Sequence, residues 1–444
     1  VKIISSICHR SVFSLLAMVV ATQPIWAQAP SADDLKRDRN RGLVMLHHVR
    51  DIVKEDYYDP NYHGIDLAAR FKQAEEKMKE AASLSHVLGI VAQTLVELND
   101  SHTFFVPPPR PVDVDYGWKM QIIGENCYVV SVKAGSDAEA RGLKPGDLVL
   151  SVDGFKPNRQ SLWKMEYNYN VLRPQPGKRV VVRSPDGQDR ELALKAKVEK
   201  RPKQINITEI YDEIYEERED EKRLPRYFEL KDDGVFVWKL REFGLTESKV
   251  DDTLKKAREY KSLILDLRGN GGGYEVTLKR LVGSFFDRDI TIGQAKGRKD
   301  NKTIIAKTRG DKVFKGNLVV LIDSQSGSAA EIFARVVQLE KRGTVIGDRS
   351  SGAVMRAIYR PGLMGDMSSS NMVPFGASVT VADLIMTDGK SLEHVGVTPD
   401  EVALPTPADM SAKKDLVLAR AAAIVGAALS PERAGSMFPI EKEK

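Results

Sequence analysis

An α/β protein with a helical N-terminal region and a separate strand-rich module is the fold class predicted by this sequence, and three observations predict it. Residues 234–346 alternate buried-type apolar runs with amphipathic stretches, the pattern of strands crossing over to helices. Residues 32–98 repeat apolar positions at spacings of three and four. Residues 116–198 change to short apolar runs divided by turn signals.

Composition frames these elements. The chain has 444 residues, 42% of them apolar and 29% charged, with 67 Lys+Arg against 62 Asp+Glu for a net charge of +5. At about 100–200 residues per domain, that length accommodates two to four domains, each with its own core. Two cysteines, Cys8 and Cys127, cannot staple a disulfide scaffold. Interspersed charges of both signs argue against long disorder and against a nucleic-acid surface.

Residues 1–29 read as a secretory signal. Lys2 and Arg10 precede an apolar run over 12–21, followed by the small-x-small site Ala27-Gln28-Ala29. Pro30 disfavours a cut directly before it, which moves the expected cleavage to a nearby bond. The run is too short for a bilayer, which needs roughly 20 residues, and no later segment is long and apolar enough to be a stable membrane span. The expectation is an exported protein that loses Cys8 and two positive charges on maturation.

Three helices are expected in the N-terminal region, residues 32–112. One carries Leu43, Leu46, Val49, Ile52 and Val53, a second Phe71, Ala74 and Met78, and a third Leu88, Val91, Leu95 and Leu98, each set on one face of a 3.6-residue period. The region breaks at Asn99-Asp100-Ser101-His102-Thr103, whose side chains compete with the backbone ladder, and Pro107-Pro108-Pro109 prevents resumption. Residues 114–200 form the strand-rich module, with strands at 127–132, 147–152, 179–183 and 191–194 and a Pro185-Asp186-Gly187 turn. The dense charges of 201–227 read as a solvated linker. The α/β core spans 228–408, with strands at 234–240, 262–267, 318–322 and 344–346 and helices at 274–286 and 329–340. Residues 409–444 hold an alanine-rich helix over 411–429 and a tail that frays from 441.

Two strand-to-helix junctions could carry chemistry. In Asp323-Ser324-Gln325-Ser326-Gly327-Ser328-Ala329-Ala330-Glu331, Ser328 stands at a helix N-terminus, where free N–H groups favour developing negative charge. Ser328-x-x-Glu331 equally fits a capping box. In Asp266-Leu267-Arg268-Gly269-Asn270-Gly271-Gly272-Gly273 the glycines allow close backbone approach to an anion, or simply a tight turn. Tyr274-Glu275 stands where a phosphate loop needs Lys-Ser/Thr, and the glycine spacing does not fit a dinucleotide fingerprint. His102 is set apart from the other histidines by its polar break, where Asp100 and Ser101 could fix its tautomer. No His/Cys/Asp/Glu cluster has metal-ligand spacing, so no metal or other cofactor is expected.

Together, in this order, these segments resemble the C-terminal processing, or tail-specific, serine proteases across roughly residues 40–405. The strand-rich module is similar to a PDZ domain through Val130-Ser131-Val132-Lys133-Ala134-Gly135-Ser136-Asp137-Ala138, Gly142-Leu143-Lys144-Pro145-Gly146-Asp147 and Val152-Asp153-Gly154. Such domains add an extended peptide at a sheet edge and hold its terminal carboxylate; the corresponding loop is Tyr116-Gly117-Trp118, which departs from the common glycine-rich form. For the core, the resemblance implies a ClpP/crotonase-like fold, Ser328 as nucleophile, and oxyanion donors on Ala329 and on a glycine of 271–273, with Gly271 and Gly272 foremost. The family's main branch activates its serine with a lysine 25 residues on, and here that position is Ala353. A second branch, similar to the tricorn core proteases, uses the histidine of an Asp-Ser-His-Thr segment, matching Asp100-Ser101-His102-Thr103, with Ser101 and a distant glutamate, Glu393, orienting it.

The resemblance therefore implies an exported serine endopeptidase, periplasmic rather than extracellular. Its partners would be unfolded or C-terminally exposed polypeptides, with no nucleic acid. The missing lysine motivates an alternative, a catalytically inactive protein on the same scaffold that binds peptides or small hydrophobes, as retinoid-binding members similar to this family do.

Overall fold

A computed structural model of the protein describes residues 31–200, 226–299, 301–365 and 372–438. The signal expected over 1–29, all but the last two residues of the charged linker, and the tail from 441 lie outside them.

The N-terminal region is three helices, α1 (Ala32–Asp56), α2 (Leu67–Lys79) and α3 (Leu84–Val96). Each begins at a side-chain cap, Ser31, Asp66 and Ser83, whose oxygen accepts from a backbone N–H of the first turn. Their apolar faces close on Leu46, Val49, Phe71, Met78 and Leu95, and the same cluster takes in Phe375, Ala377 and Val379 from the core. The strands that follow are β1 (Phe104–Val106), β2 (Val112–Asp115), β3 (Trp118–Ile123), β4 (Asn126–Val132), β5 (Leu148–Val152), β6 (Gly177–Arg183), β7 (Asp189–Lys195) and β8 (Lys197–Lys200). Two short helices, α4 (Asp137–Ala140) and α5 (Leu162–Glu166), interrupt them. Strands β3 to β7 form an antiparallel sheet in sequence order around Ile122, Val129, Val149 and Val180. The β2–β8 pair closes the base of this module, where the chain enters and leaves.

The core follows as β9 (Arg226–Leu230), β10 (Val235–Lys239), α6 (Glu247–Ala257), β11 (Ser262–Asp266), α7 (Glu275–Gly283), β12 (Ile290–Gly297), β13 (Asn301–Ala306), β14 (Asn317–Ile322), α8 (Ala329–Leu339), β15 (Thr344–Gly347), β16 (Met355–Met364), β17 (Val373–Met386) and β18 (Glu401–Val402). The chain ends in α9 (Pro407–Ser411), α10 (Leu416–Ile424) and α11 (Pro431–Met437). A six-stranded sheet runs β18-β15-β14-β11-β10-β9, parallel except for the edge strand β9. Alternate residues of β10, β11 and β14 face opposite layers. Phe236, Leu265 and Val320 pack with Leu254, Leu278 and Phe333, while Val237, Ile264 and Val319 pack with Val417, Leu418 and Ala421. Helices on both faces are what a parallel sheet requires.

A second sheet, β1-β17-β12-β13 with β16 on β17, joins the N-terminal region to the core. Its β1–β17 pairing, Phe104↔Ser378 to Val106↔Gly376, carries the break at 99–103 onto the core. The module is clasped to the core by Arg159, both of whose Asp348 contacts are 2.7 Å, and whose Nε donates to the Gly124 carbonyl at 2.8 Å.

Two expectations are corrected, and one element is new. The helix foreseen over 411–429 is only α10 with the last residue of α9 before it, because Lys413 has φ +55° and Asp415 caps a new helix. Arg226 and Tyr227, assigned to the linker, belong to β9. The β16–β17 hairpin was not foreseen at all.

Candidate active site

Ser328 is the N-cap of α8, half-buried, with φ +50° and ψ −117°. A non-glycine residue in that region stores about 1–3 kcal/mol of strain, which persists only where surrounding contacts enforce it. Those contacts are visible. The Ser328 N–H donates to the Ala353 carbonyl at 2.9 Å and to Glu331 Oε2 at 3.0 Å. Glu331 thus makes the reciprocal contact of a capping box, and capping explains only one of its bonds. Its carboxylate also accepts from Ser350 Oγ at 2.6 Å, Gly352 N–H at 2.7 Å and Ala353 N–H at 2.9 Å. Burial pushes the Glu331 carboxyl up to about 7 against the pull of those four donors.

The glycine loop lies directly on Ser328. A Cβ on Gly272, whose φ is +104°, would stand 2.5 Å from Ser328 Cβ and 3.0 Å from the Ala329 nitrogen. Only glycine fits. The Gly272 N–H, however, donates to Asn270 Oδ1 at 2.8 Å, so of the two glycines named as oxyanion donors it serves here as a close-packed spacer. Among the described residues, Ala329 N–H, at the first position of α8, and the N–H groups of Gly271 and Gly273 are the donors left on this loop and helix end. Asp323 fixes the loop from below, accepting from Gly269 N–H at 2.9 Å and from Gln121 of β3 at 2.8 Å. Replacing Gly272 with alanine is expected to lower peptidase kcat by roughly 10²-fold through displacement of Ser328, while circular dichroism stays that of the parent; parent-level kcat contradicts it.

Three sequence-predicted residues meet across 292 positions of chain. Ser101 N–H and Oγ donate to Glu393 Oε1 and Oε2 at 2.7 and 2.8 Å. Ser101 Oγ lies 2.7 Å from His102 Nδ1. Glu393 Oε2 also accepts from Val354 N–H at 2.9 Å, and Val354 follows the Ala353 whose carbonyl holds Ser328. The histidine chain and the serine therefore grip adjacent residues of one loop. Among the described residues no hydrogen bond joins His102 to Ser328 directly. Burial depresses the His102 imidazole below its usual range, opposed by the nearby Asp100 carboxylate, and burial raises the Glu393 carboxyl. Position 353 presents main chain, not a base, to the serine.

The loop Tyr116-Gly117-Trp118 stands at the start of β3, an edge strand of its sheet. Its groups are engaged internally: Gly117 N–H donates to Asp115 at 2.8 Å and Tyr116 hydroxyl to the Gln175 carbonyl at 3.0 Å. Further along β3, the Ile122 carbonyl accepts from Ser324 Oγ of the core. A cavity of about 810 Å³ lies between β3 and the core, lined by Lys119, Gln121, Gly271, Gly272 and Asp323 among others. Cys127 is buried, and burial pushes its thiol up to about 12. Among the described residues no helix is long and apolar enough to cross a membrane, and no group of three or more His, Cys, Asp or Glu side chains is placed to hold a metal ion.

A buried parallel sheet carries a strained serine at a helix N-terminus with a glycine loop against it, and residues 236–403 match the family model described as Peptidase family S41. The enzyme is a serine peptidase, similar over that segment to the S41 family. Among curated relatives, the carboxy-terminal processing protease CtpA of Bacillus subtilis (strain 168) is 28% identical over 284 residues, covering 62% of this chain and 53% of the relative. The carboxy-terminal processing protease CtpB of the same organism is 22% identical over 412 residues, covering 90% and 76%. The crystal structure of mature CPAF superposes with a TM-score of 0.62 at 14% identity, covering 84% of this chain and 94% of that one; this likeness is one of fold.

Proposed function

We propose that the protein is an exported serine endopeptidase that cleaves unfolded or C-terminally exposed polypeptides, with Ser328 as nucleophile and His102 as general base. The observation that carries this reading is the pair of grips on one loop: Ala353 holds strained Ser328, and Val354 holds the Glu393 that ends the His102–Ser101 chain. While Glu393 is ionised, Ser101 donates its one hydroxyl hydrogen bond to that carboxylate, and its oxygen then accepts from His102 Nδ1–H. That tautomer leaves Nε2 as a base.

The steps balance in the usual way for a serine acyl transfer. Ser328 Oγ bonds to the peptide carbonyl carbon as its proton passes to His102 Nε2, and Ala329 and Gly271 N–H groups receive the oxyanion. The imidazolium returns the proton to the leaving amine, releasing one product. Water, deprotonated by the same imidazole, bonds to the ester carbonyl carbon; the ester C–O bond then breaks, the imidazolium returns its proton to Ser328 Oγ, and the new carboxyl end leaves as the second product. The edge strand β3, in a module we read as PDZ-like, offers the place for an extended substrate to add, provided Ser324 releases the Ile122 carbonyl. Export rests on the basic, apolar and small-residue order of 1–29, and the periplasmic destination on the family resemblance; N-terminal sequencing of the protein from periplasmic fractions checks both.

Activity requires neutral His102 and is lost as pH falls through its pKa. Since burial lowers that pKa, the acid limb of kcat/KM on an unfolded polypeptide is expected to have its midpoint below 6.5. A midpoint above 6.5 contradicts the assignment. The absence of a direct His102–Ser328 bond favours a second reading, an inactive peptide-binding protein, which predicts no hydrolysis of any unfolded substrate at any pH.

A further inference from the structure

Asp100 is buried, 3% exposed, and has no part in the steps above. It nonetheless gathers four donors from three parts of the chain. Its Oδ1 accepts from the His102 N–H at 2.9 Å, the Thr103 N–H at 2.7 Å and Thr380 Oγ1 of β17 at 2.6 Å, and its Oδ2 accepts from the hydroxyl of Tyr57, at the end of α1, at 3.0 Å. Thr380 N–H in turn donates to Thr103 Oγ1 at 3.0 Å, and its carbonyl accepts from the Tyr58 N–H at 3.0 Å. Tyr57, Thr103 and Thr380 are buried with it. Asn99, immediately before, has φ +56°, so the segment turns sharply into the peptide whose N–H groups Asp100 captures.

We propose that Asp100 is a positioning residue for the reaction: one carboxylate pins the His102 main chain to α1 and β17 while its charge supports the imidazolium formed when Ser328 is deprotonated. The proposal rests on the reading of His102 as base. It adds a second anchor, because Ser101 and Glu393 orient the ring through Nδ1 whereas Asp100 fixes the backbone that carries it. The charged and titratable groups around this segment are Glu393 and His394 from the loop after β17, Asp383 on β17, and Tyr57, Tyr58, Asp59 and His63 from the stretch after α1. Burial, with the Asp100 charge adding to it, keeps the Tyr57 phenol protonated, so it stays a donor to Asp100.

The test uses the full-length protein with Asp100→Asn, Asp100→Ala, Thr380→Val and His102→Ala. Asp100→Asn keeps an acceptor for the main-chain N–H groups and removes the charge, so the acid limb of kcat/KM is expected to move down by about one pH unit. Histidine imidazole titration followed by NMR in a Ser328→Ala background, with the His102 signal assigned by its loss in His102→Ala, is expected to show the same shift without any turnover. Asp100→Ala, which also frees the backbone, is expected to lower kcat by roughly 10²-fold with KM little changed, and Thr380→Val to fall between it and the parent. Should Asp100→Ala fail to fold, Asp100→Asn and Thr380→Val still decide. An imidazole titration in Asp100→Asn identical to the parent overturns the proposal, as does parent-level kcat in both Asp100→Ala and Thr380→Val. Parent-level turnover in His102→Ala instead overturns the reading of His102 as base, whatever Asp100 does.

Discussion

Ser328→Ala and His102→Ala are each expected to reduce kcat on an unfolded polypeptide by a factor on the order of 10⁶, leaving only what the oxyanion donors and binding supply. The two losses should not add. In the proposed mechanism, nucleophile and base act in one proton transfer, so the double variant is expected to be no slower than either single one. Both side chains sit at positions whose main chain is held independently of them, Ser328 through Ala353 and Glu331, His102 through Asp100. Their removal is therefore expected to leave thermal unfolding unchanged, and a calorimetric comparison separates lost chemistry from lost fold. Parent-level activity in either variant contradicts the assignment.

Glu331→Ala is expected to cost about 3–5 kcal/mol of stability, because it strips the common acceptor from four donors at once, two of them buried and two half-buried. Ser328 N–H, Ser350 Oγ, Gly352 N–H and Ala353 N–H all lose their common partner. Activity should fall further than stability alone explains, since the same contacts enforce the +50° φ of Ser328. The group also carries a pH signature. Its folded pKa stands raised from 4.5 to about 7, so between those values the native state binds more protons than the unfolded chain, and this group's contribution to stability falls as pH rises. Urea unfolding from pH 4.5 to 7 is expected to show that fall in the parent and to lack it in Glu331→Gln; identical profiles contradict it.

Local pattern carried much of the core. The parallel strands β10, β11, β14 and β15 are continuous apolar runs bounded by turn residues, and α8 has a strong single-face periodicity, so both are readable without partners. The β16–β17 hairpin is different: it contains Pro361, Gly362 and Pro374, and β17 buries residues on both faces at intervals dictated by β1, β12 and the helices packed on it. Such burial is a property of contacts between distant segments, and no window of sequence contains it.

The same division runs through the site. Ser101, His102, Ser328 and Glu393 were nameable from their motifs, yet the Ser101–Glu393 contact spans 292 residues and exists only in the fold. Glu331 read as a helix cap and Asp100 as one of two side chains that could fix the His102 tautomer, whereas Asp100 binds the His102 main chain. Their roles as buried hubs depend on donors supplied by Ser350, Gly352, Ala353, Tyr57 and Thr380, which nothing local to either residue announces. Asn270 likewise takes up the Gly272 N–H through a side-chain geometry that spacing does not encode.

Covalent labelling with a serine-directed phosphonate, followed by peptide mapping of the parent and of His102→Ala, tests the central claim most directly. The predicted result is a single adduct on Ser328 in the parent and its loss or severe slowing in His102→Ala. An adduct on another serine, none on the parent, or labelling of Ser328 at an undiminished rate without His102 would contradict it.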